Sequence, residues 1–248
     1  MVQQINSVAR ALDAVFETRN SFGVSPWWRG HQRANWDLVA SVFRRDDLEF
    51  GAEKSLMGRF RSAAVNRQPL LPDGADHSSW LFLARHHGPH VRLLDWTQAA
   101  LTALYFAVEQ PKLDENEDAA LRALSPEGLN KTMLGVRGLF TAIGPPIDSI
   151  VRRAFSGEDP DGSQVAAVLP IEIDLRMLLQ QSRFTIHDTP MALEKLVDHP
   201  NVLRKYVIPA RYRVSIACQL ETLGYGRSSL FPDLTTLASE INGLRHKR

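Results

Sequence analysis

The residues best suited to chemistry begin at Trp27-Trp28-Arg29-Gly30-His31. A guanidinium presents five donors in a fixed fork and grips phosphate or carboxylate at two points. Here it follows two large aromatics and precedes a glycine, whose bare backbone lets a ligand approach closely. Trp27 or Trp28 could stack on a base or ring. Side chains alternate along a strand, so only one of them can share a face with Arg29; Trp28 is the candidate carried forward. The plain alternative is a core tryptophan and an Arg29 held in a structural ion pair with Asp95.

A second dense run, RHHGPHVRLLDWT, covers residues 85–97. Asp95 follows two leucines and stands where a buried segment meets a helix, so it can cap that helix, orient an arginine, or both. Arg92 is a second candidate anion contact, or Asp95's structural partner. Thr97 is a candidate support for a ribose. His86 and His87 adjoin on a helix and do not share a face, although a broken helix end could bring two of His86, His87 and His90 together. Their spacing is no zinc pattern, so no metal is expected. His87 is the candidate pocket-lining histidine. Further on, Gln180 and Gln181 lie four and three residues before Phe184. A glutamine can anchor a ribose hydroxyl or an amide by paired hydrogen bonds, or simply bond backbone.

Other chemistries are set aside. The chain has no P-loop, G-x-G-x-x-G, G-x-S-x-G or H-E-x-x-H pattern. A net charge of +1 over 248 residues gives no bulk argument for nucleic acid or an anionic membrane. One cysteine excludes a disulfide within the chain; Cys218, in the apolar run VSIACQL, reads as a buried thiol. No apolar stretch approaches the ~20 residues that span a bilayer. The N-terminus lacks the basic and apolar regions of a signal peptide, so the cytoplasm is the expected compartment.

The elements that must position these residues follow from periodicity and punctuation. Helices are expected at about Ser7–Arg19, Ala52–Asn66, Ser78–His87 (ended by Gly88-Pro89) and Gln98–Glu109 (closed by Pro111). The last is apolar nearly all round and therefore central. Trp27–Arg29 reads as a short strand broken by Gly30. Strands are also expected at Ala119–Leu124, Val165–Leu169, Phe184–His187 and Val202–Ile208. Helices follow at Ile147–Phe155, near Leu175–Gln181, from Thr189-Pro190 through Val197, at Arg213–Leu223, and from about Asp233. Helices and strands intersperse without regular βαβ alternation. This favours α+β, a mixed short-stranded sheet packed with several helices. Nothing in the composition divides the chain; residues 157–163 are the best candidate boundary.

WWRGHQRANWDLVASVFR resembles the opening pattern of the FRG domain, a family of largely unknown function named for an aromatic-Arg-Gly run. HHGPHVRLLDWTQAALTALYFAVE is similar to its second block, QQSRFTIH to a third, and SLFPDLTTLASEI to a C-terminal one. Ala40, Val91 and Ser182 depart from the residues common at their positions. The resemblance implies one FRG-type domain over residues 1–248, with a helical segment at 1–25 and the blocks at 27–241, of a kind often met in bacterial and phage-related settings. Its layout is similar to ADP-ribosyltransferases, which carry an arginine on the first core strand, a Ser/Thr-bearing strand leading to a helix, and a later Glu- or Gln-bearing segment. Arg29, Thr97 and Gln180 or Gln181 occur in that order. By this analogy Arg29 would grip the pyrophosphate of NAD. No catalytic glutamate adjoins FTIH; Glu172 and Glu194 are the nearest carboxylates by sequence.

Three readings follow. The first is a nucleotide-using, ADP-ribosyltransferase-like effector of toxin or phage-defence type. Its NAD would be substrate, Arg29, Asp95 and Gln181 would be catalytic, and Trp28, Arg29, His87, Arg92, Thr97 and Gln180 would bind. The second is a non-catalytic module recognising a nucleotide, a nucleic acid or a protein through the same pocket. The third is a packed core with Arg29 and Asp95 as a buried ion pair.

Overall fold

A computed structural model of the protein describes residues 3–44, 51–67, 71–109, 116–145, 147–158, 164–171 and 175–244. Its helices are α1 (Val8–Phe22), α2 (Ala52–Ala64), α3 (His77–His87), α4 (Ala100–Val108), α5 (Pro126–Leu134), α6 (Ile147–Ser156), α7 (Leu175–Leu179), α8 (Leu193–Leu196), α9 (Arg213–Thr222), α10 (Arg227–Leu230) and α11 (Leu234–Leu244). The strands are β1 (Trp27–His31), β2 (Leu93–Thr97), β3 (Ala119–Leu124), β4 (Phe140–Thr141), β5 (Val165–Leu169), β6 (Ser182–His187) and β7 (Leu203–Ile208). They form one mixed sheet in the order β4-β5-β6-β2-β1-β3-β7, parallel at β4–β5 and antiparallel elsewhere. The architecture is α+β.

Local chemistry sets the helix ends. Ser7 accepts from the Arg10 N–H, Asp76 from Ser79, Ser125 from Gly128 and Asp233 from Thr236, each a side chain satisfying an orphan donor of a first turn. Gly88 ends α3 in the left-handed conformation, at φ 101°.

The core has three parts. On one sheet face, α2, α3 and α6 cover Leu93, Phe184 and Ile186 of the β2–β6 half. Beside them α1, α4 and α9 cover Trp28, Leu121, Tyr206 and Ile208 of the β1–β3–β7 half. On the opposite face, α5 and α8 pack against Trp27, Leu94 and Trp96. The two halves meet at β1 and β2, which share the single register pair Trp28↔Thr97, whereas β1–β3 and β2–β6 each share five. The sheet is therefore open along the β1–β2 seam, between its two helical layers.

Four expectations are corrected. Gly30 does not break the strand, which runs on to His31. A Cβ there would come 2.0 Å from the Ala103 carbonyl oxygen and 2.6 Å from the Ala107 nitrogen, so the glycine lets the α4 backbone lie directly on β1. The helix expected from Thr189-Pro190 starts at Leu193, because the Thr189 hydroxyl accepts from Met191 in a local turn. Cys218 is exposed: α9 buries Arg213, Ile216 and Leu220 instead, and helical rotation turns the thiol outward. Ala99, not Asp95 or Thr97, is the N-cap of α4, although the Thr97 hydroxyl accepts from the Ala99 N–H. Pro111, Glu172 and residues 159–163 of the candidate boundary lie outside the described residues. No helix among the described residues is long and apolar enough to cross a membrane.

Candidate functional site

A cleft of about 280 Å³ opens at the β1–β2 seam. Arg29 and Gly30 of β1 line it with Asp95 and Thr97 of β2, Arg85 and His86 of α3, Phe106 of α4, Arg176 and Met177 of α7, Gln180, and Phe184 of β6. Phe82, edge-on to Phe184 at 5.1 Å between centroids, supplies an apolar wall.

Arg29 is the residue around which the seam opens. Its Nη1 donates to the Asp95 carbonyl oxygen at 2.7 Å, an acceptor that an unbroken ladder would satisfy from the β1 backbone. Its Nε donates to His31 Nε2 at 3.0 Å. Its Nη1 stands 3.6 Å from Asp95 Oδ2. Burial, with the charges of Arg85 and Arg44, draws Arg29 down to about 10 against the pull of Asp95, so it stays charged at neutral pH. Asp95 is claimed more tightly by Arg85, which donates from Nε to Oδ1 at 2.8 Å and from Nη2 to Oδ2. Burial works against the carboxylate's charge, but Arg85 and Arg29 outweigh it and hold Asp95 at about 2. Such a carboxylate is a permanent anion and a poor general base.

Thr97 donates from its hydroxyl to the Gln180 carbonyl at 2.6 Å, tying the end of β2 to the turn before β6. The Gln180 amide donates to the Leu230 carbonyl at 3.0 Å, anchoring α10 beside the cleft. At the rim the Arg176 guanidinium lies 4.6 Å from the Phe231 ring centroid, a cation–π contact, and Phe231 meets Phe106 edge-on.

Arg29, Asp95, Thr97 and Gln180 thus converge on one cleft, with Trp28 buried in its wall, while His87, Arg92 and Gln181 lie off it. Trp28 touches the cleft wall but is only 1% exposed and packs against Tyr206, while Trp27, also 1% exposed, is core on the opposite face. Neither ring is open to stacking. His87 is exposed and does not line the cleft; His86, one helical step away, does. Arg92 is 3% exposed and held by Glu53 and Asp188. It lies just before β2 and is buried between two carboxylates, so it is a structural cation. Gln181 is exposed and takes a left-handed backbone conformation, at φ 46°. Its neighbour Gln180 faces the cleft. Glu194 bonds Arg122 and the Leu38 N–H, away from the cleft. No group of three or more His, Cys, Asp or Glu among the described residues is placed to hold a metal ion.

Sequence reasoning passed over Arg85, Phe82, Phe106, Arg176 and Phe184. Arg85 opens the dense second run and helical spacing from Phe82 joins it to the same face, a signal that was legible. Arg176 gave no local signal, because only the chain's return through α7 brings it to the rim.

The chain matches no curated protein and no solved structure. A family model matches residues 25–116, the stretch that supplies Arg29, His31, Arg85, Asp95 and Thr97, while the later blocks at Gln180 and Phe231 lie beyond it. By that match the chain carries an FRG domain, whose residues build one side of the cleft.

Proposed function

We propose that the cleft binds a nucleotide, with NAD the candidate ligand, in the manner of an ADP-ribosyltransferase-like effector of the toxin or phage-defence kind. One observation carries this reading: Arg29, Thr97 and Gln180, separated by 151 residues from first to last, line one cleft beside phenylalanine walls. Arg29 sits on the first strand, Thr97 ends a strand that leads into a helix, and Gln180 precedes a later strand. In this reading Arg29 and Arg176 receive phosphoryl oxygens, Phe106 flanks a ring, and the Gln180 side chain meets a ribose hydroxyl. Pockets for drug-sized ligands run from about 300 to 1,000 Å³. A cleft of about 280 Å³ therefore encloses one nucleotide half and leaves the rest of a dinucleotide at the mouth.

The test is calorimetric titration with NAD together with an assay for nicotinamide release. Binding with release, both lost in Arg29→Ala, is the expected result. No binding of NAD or ADP overturns the reading.

A second reading is a non-catalytic module that recognises a nucleotide, nucleic acid or protein through the same cleft. The state of Asp95 favours it: the one carboxylate among the described lining residues is engaged by two arginines. NAD or ADP binding without nicotinamide release or adduct formation distinguishes it. Salt-dependent oligonucleotide binding marks its nucleic-acid form.

A further inference from the structure

His31 ends β1 behind Arg29, 3% exposed, with its ring edge-on to Trp36 at 6.1 Å. Its Nε2 accepts from Arg29 Nε, which leaves the ring proton on Nδ1. Burial first, then the charges of Arg29 and Arg122, hold the imidazole at about 2, so the acceptor is neutral at any ordinary pH. The second short contact of Arg29 is also to a neutral acceptor, the Asp95 carbonyl. The usual partner of a buried arginine is a carboxylate, which would fix the guanidinium and cancel its charge together. Its one carboxylate neighbour among the described residues, Asp95 Oδ2 at 3.6 Å, is claimed more tightly by Arg85, so Arg29 is oriented by neutral acceptors and only partly neutralised. Among the described lining residues three guanidinium groups, of Arg29, Arg85 and Arg176, face one carboxylate, and Arg44 adds its field to the same cluster.

We propose that His31 is the positioning residue that sets the charge selectivity of the cleft. As a neutral acceptor it fixes Arg29 and leaves that positive charge to a ligand, so that the cleft selects ligands bearing two or more negative charges on phosphoryl groups. The proposal rests on the nucleotide-binding reading.

The experiment titrates ADP, inorganic pyrophosphate and adenosine into the wild-type protein and into His31→Glu, His31→Gln and His31→Phe, with circular dichroism to establish folding. Wild type binds ADP at least about tenfold more tightly than adenosine. His31→Glu loses about tenfold or more of the ADP and pyrophosphate affinity and keeps that for adenosine, because the new carboxylate takes the charge of Arg29. His31→Gln, a neutral acceptor, stays within about threefold of wild type. Should the Glu variant not fold, His31→Phe carries the same test by removing the acceptor, with the same selective loss. An independent readout is the Arg29 Nε–H resonance, slow to exchange with water in wild type and in His31→Gln, and fast in His31→Phe. Equal ADP and adenosine affinity in wild type, undiminished ADP binding in both His31→Glu and His31→Phe, or an Arg29 Nε–H indifferent to position 31 would overturn the proposal while nucleotide binding stands. Absence of NAD, ADP and adenosine binding to the wild type would overturn both.

Discussion

Arg92, just before β2, and Asp95, within it, stand three residues apart, yet they belong to clusters built on opposite principles. Arg92 donates from Nε and Nη2 to Glu53 at 2.9 and 2.7 Å and from Nη1 to Asp188 at 2.9 Å, and Arg153 completes the pairing of Asp188. Among the described residues two arginines meet two carboxylates, with Arg92 and Asp188 out of water. Around Asp95 the described arginines outnumber the described carboxylate, one side is open, and α3 and the two strands at the seam contribute. A charge-matched, dry cluster clamps α2 and α6 to the ends of β2 and β6. A charge-excess, half-open one is ready for an anion. Type of residue does not separate them; charge balance and access to water do.

The sharpest way to break this comparison is to remove Arg92. Arg92→Ala strands Glu53 and Asp188 with their charges under-compensated, and should cost about 3–5 kcal/mol of stability, read from the urea midpoint. A loss below about 1 kcal/mol would mean that the cluster does not anchor the fold.

Acid should act through two buried neutral histidines, each in the field of Arg29. His31 is held at about 2 and His187 at about 3, with burial the leading cause for both. Both values are depressed below the unfolded imidazole at about 6.5. The unfolded chain therefore takes up protons first, so this stability is complete above about pH 6.5 and is lost as pH falls toward the folded values. Lowering pH from about 7.5 to 5.5 should cost about 1.4 kcal/mol for each histidine. A melting temperature flat over that range would contradict the buried neutral assignment.

Gly30→Ala tests the seam itself. Its Cβ meets backbone of α4 rather than a flexible side chain, so overpacking should cost about 1–3 kcal/mol in chemical denaturation. A neutral result would show that α4 can retreat from β1.

The smallest stability change belongs to the cleft. Arg85→Ala removes an ion pair to a half-exposed Asp95 and should cost about 1 kcal/mol or less. The same variant should weaken ADP binding by about tenfold or more, since a cation is lost and Asp95 is left facing the ligand. Large destabilisation with unchanged binding would reverse the assignment of the two clusters.

Much of the framework was legible locally. Ser7, Asp76, Asp233 and Gly88 mark helix ends through side-chain bonds or left-handed backbone that depend on immediate neighbours. β3 and β5 were legible because apolar runs bounded by turn residues have few other uses. The site was legible in outline through Arg29, Asp95, Thr97 and Gln180, and blurred by single-residue choices. His86 against His87 and Gln180 against Gln181 depend on the phase of a helix end and a turn, which a shift of one residue reverses.

The sequence by itself determined most of the element types, the dense aromatic–Arg–Gly and His–Asp–Trp runs, and the order of Arg29, Thr97 and Gln180 along the chain. The tertiary structure decided which charges are shared and which are left over. Glu53 comes to Arg92 across 39 residues and Asp188 across 96, whereas Arg176 reaches the cleft rim through α7. Pairing between charges depends on distance and on exclusion of water, and both are set by how the sheet splits and its two helical layers dock rather than by neighbours in the chain.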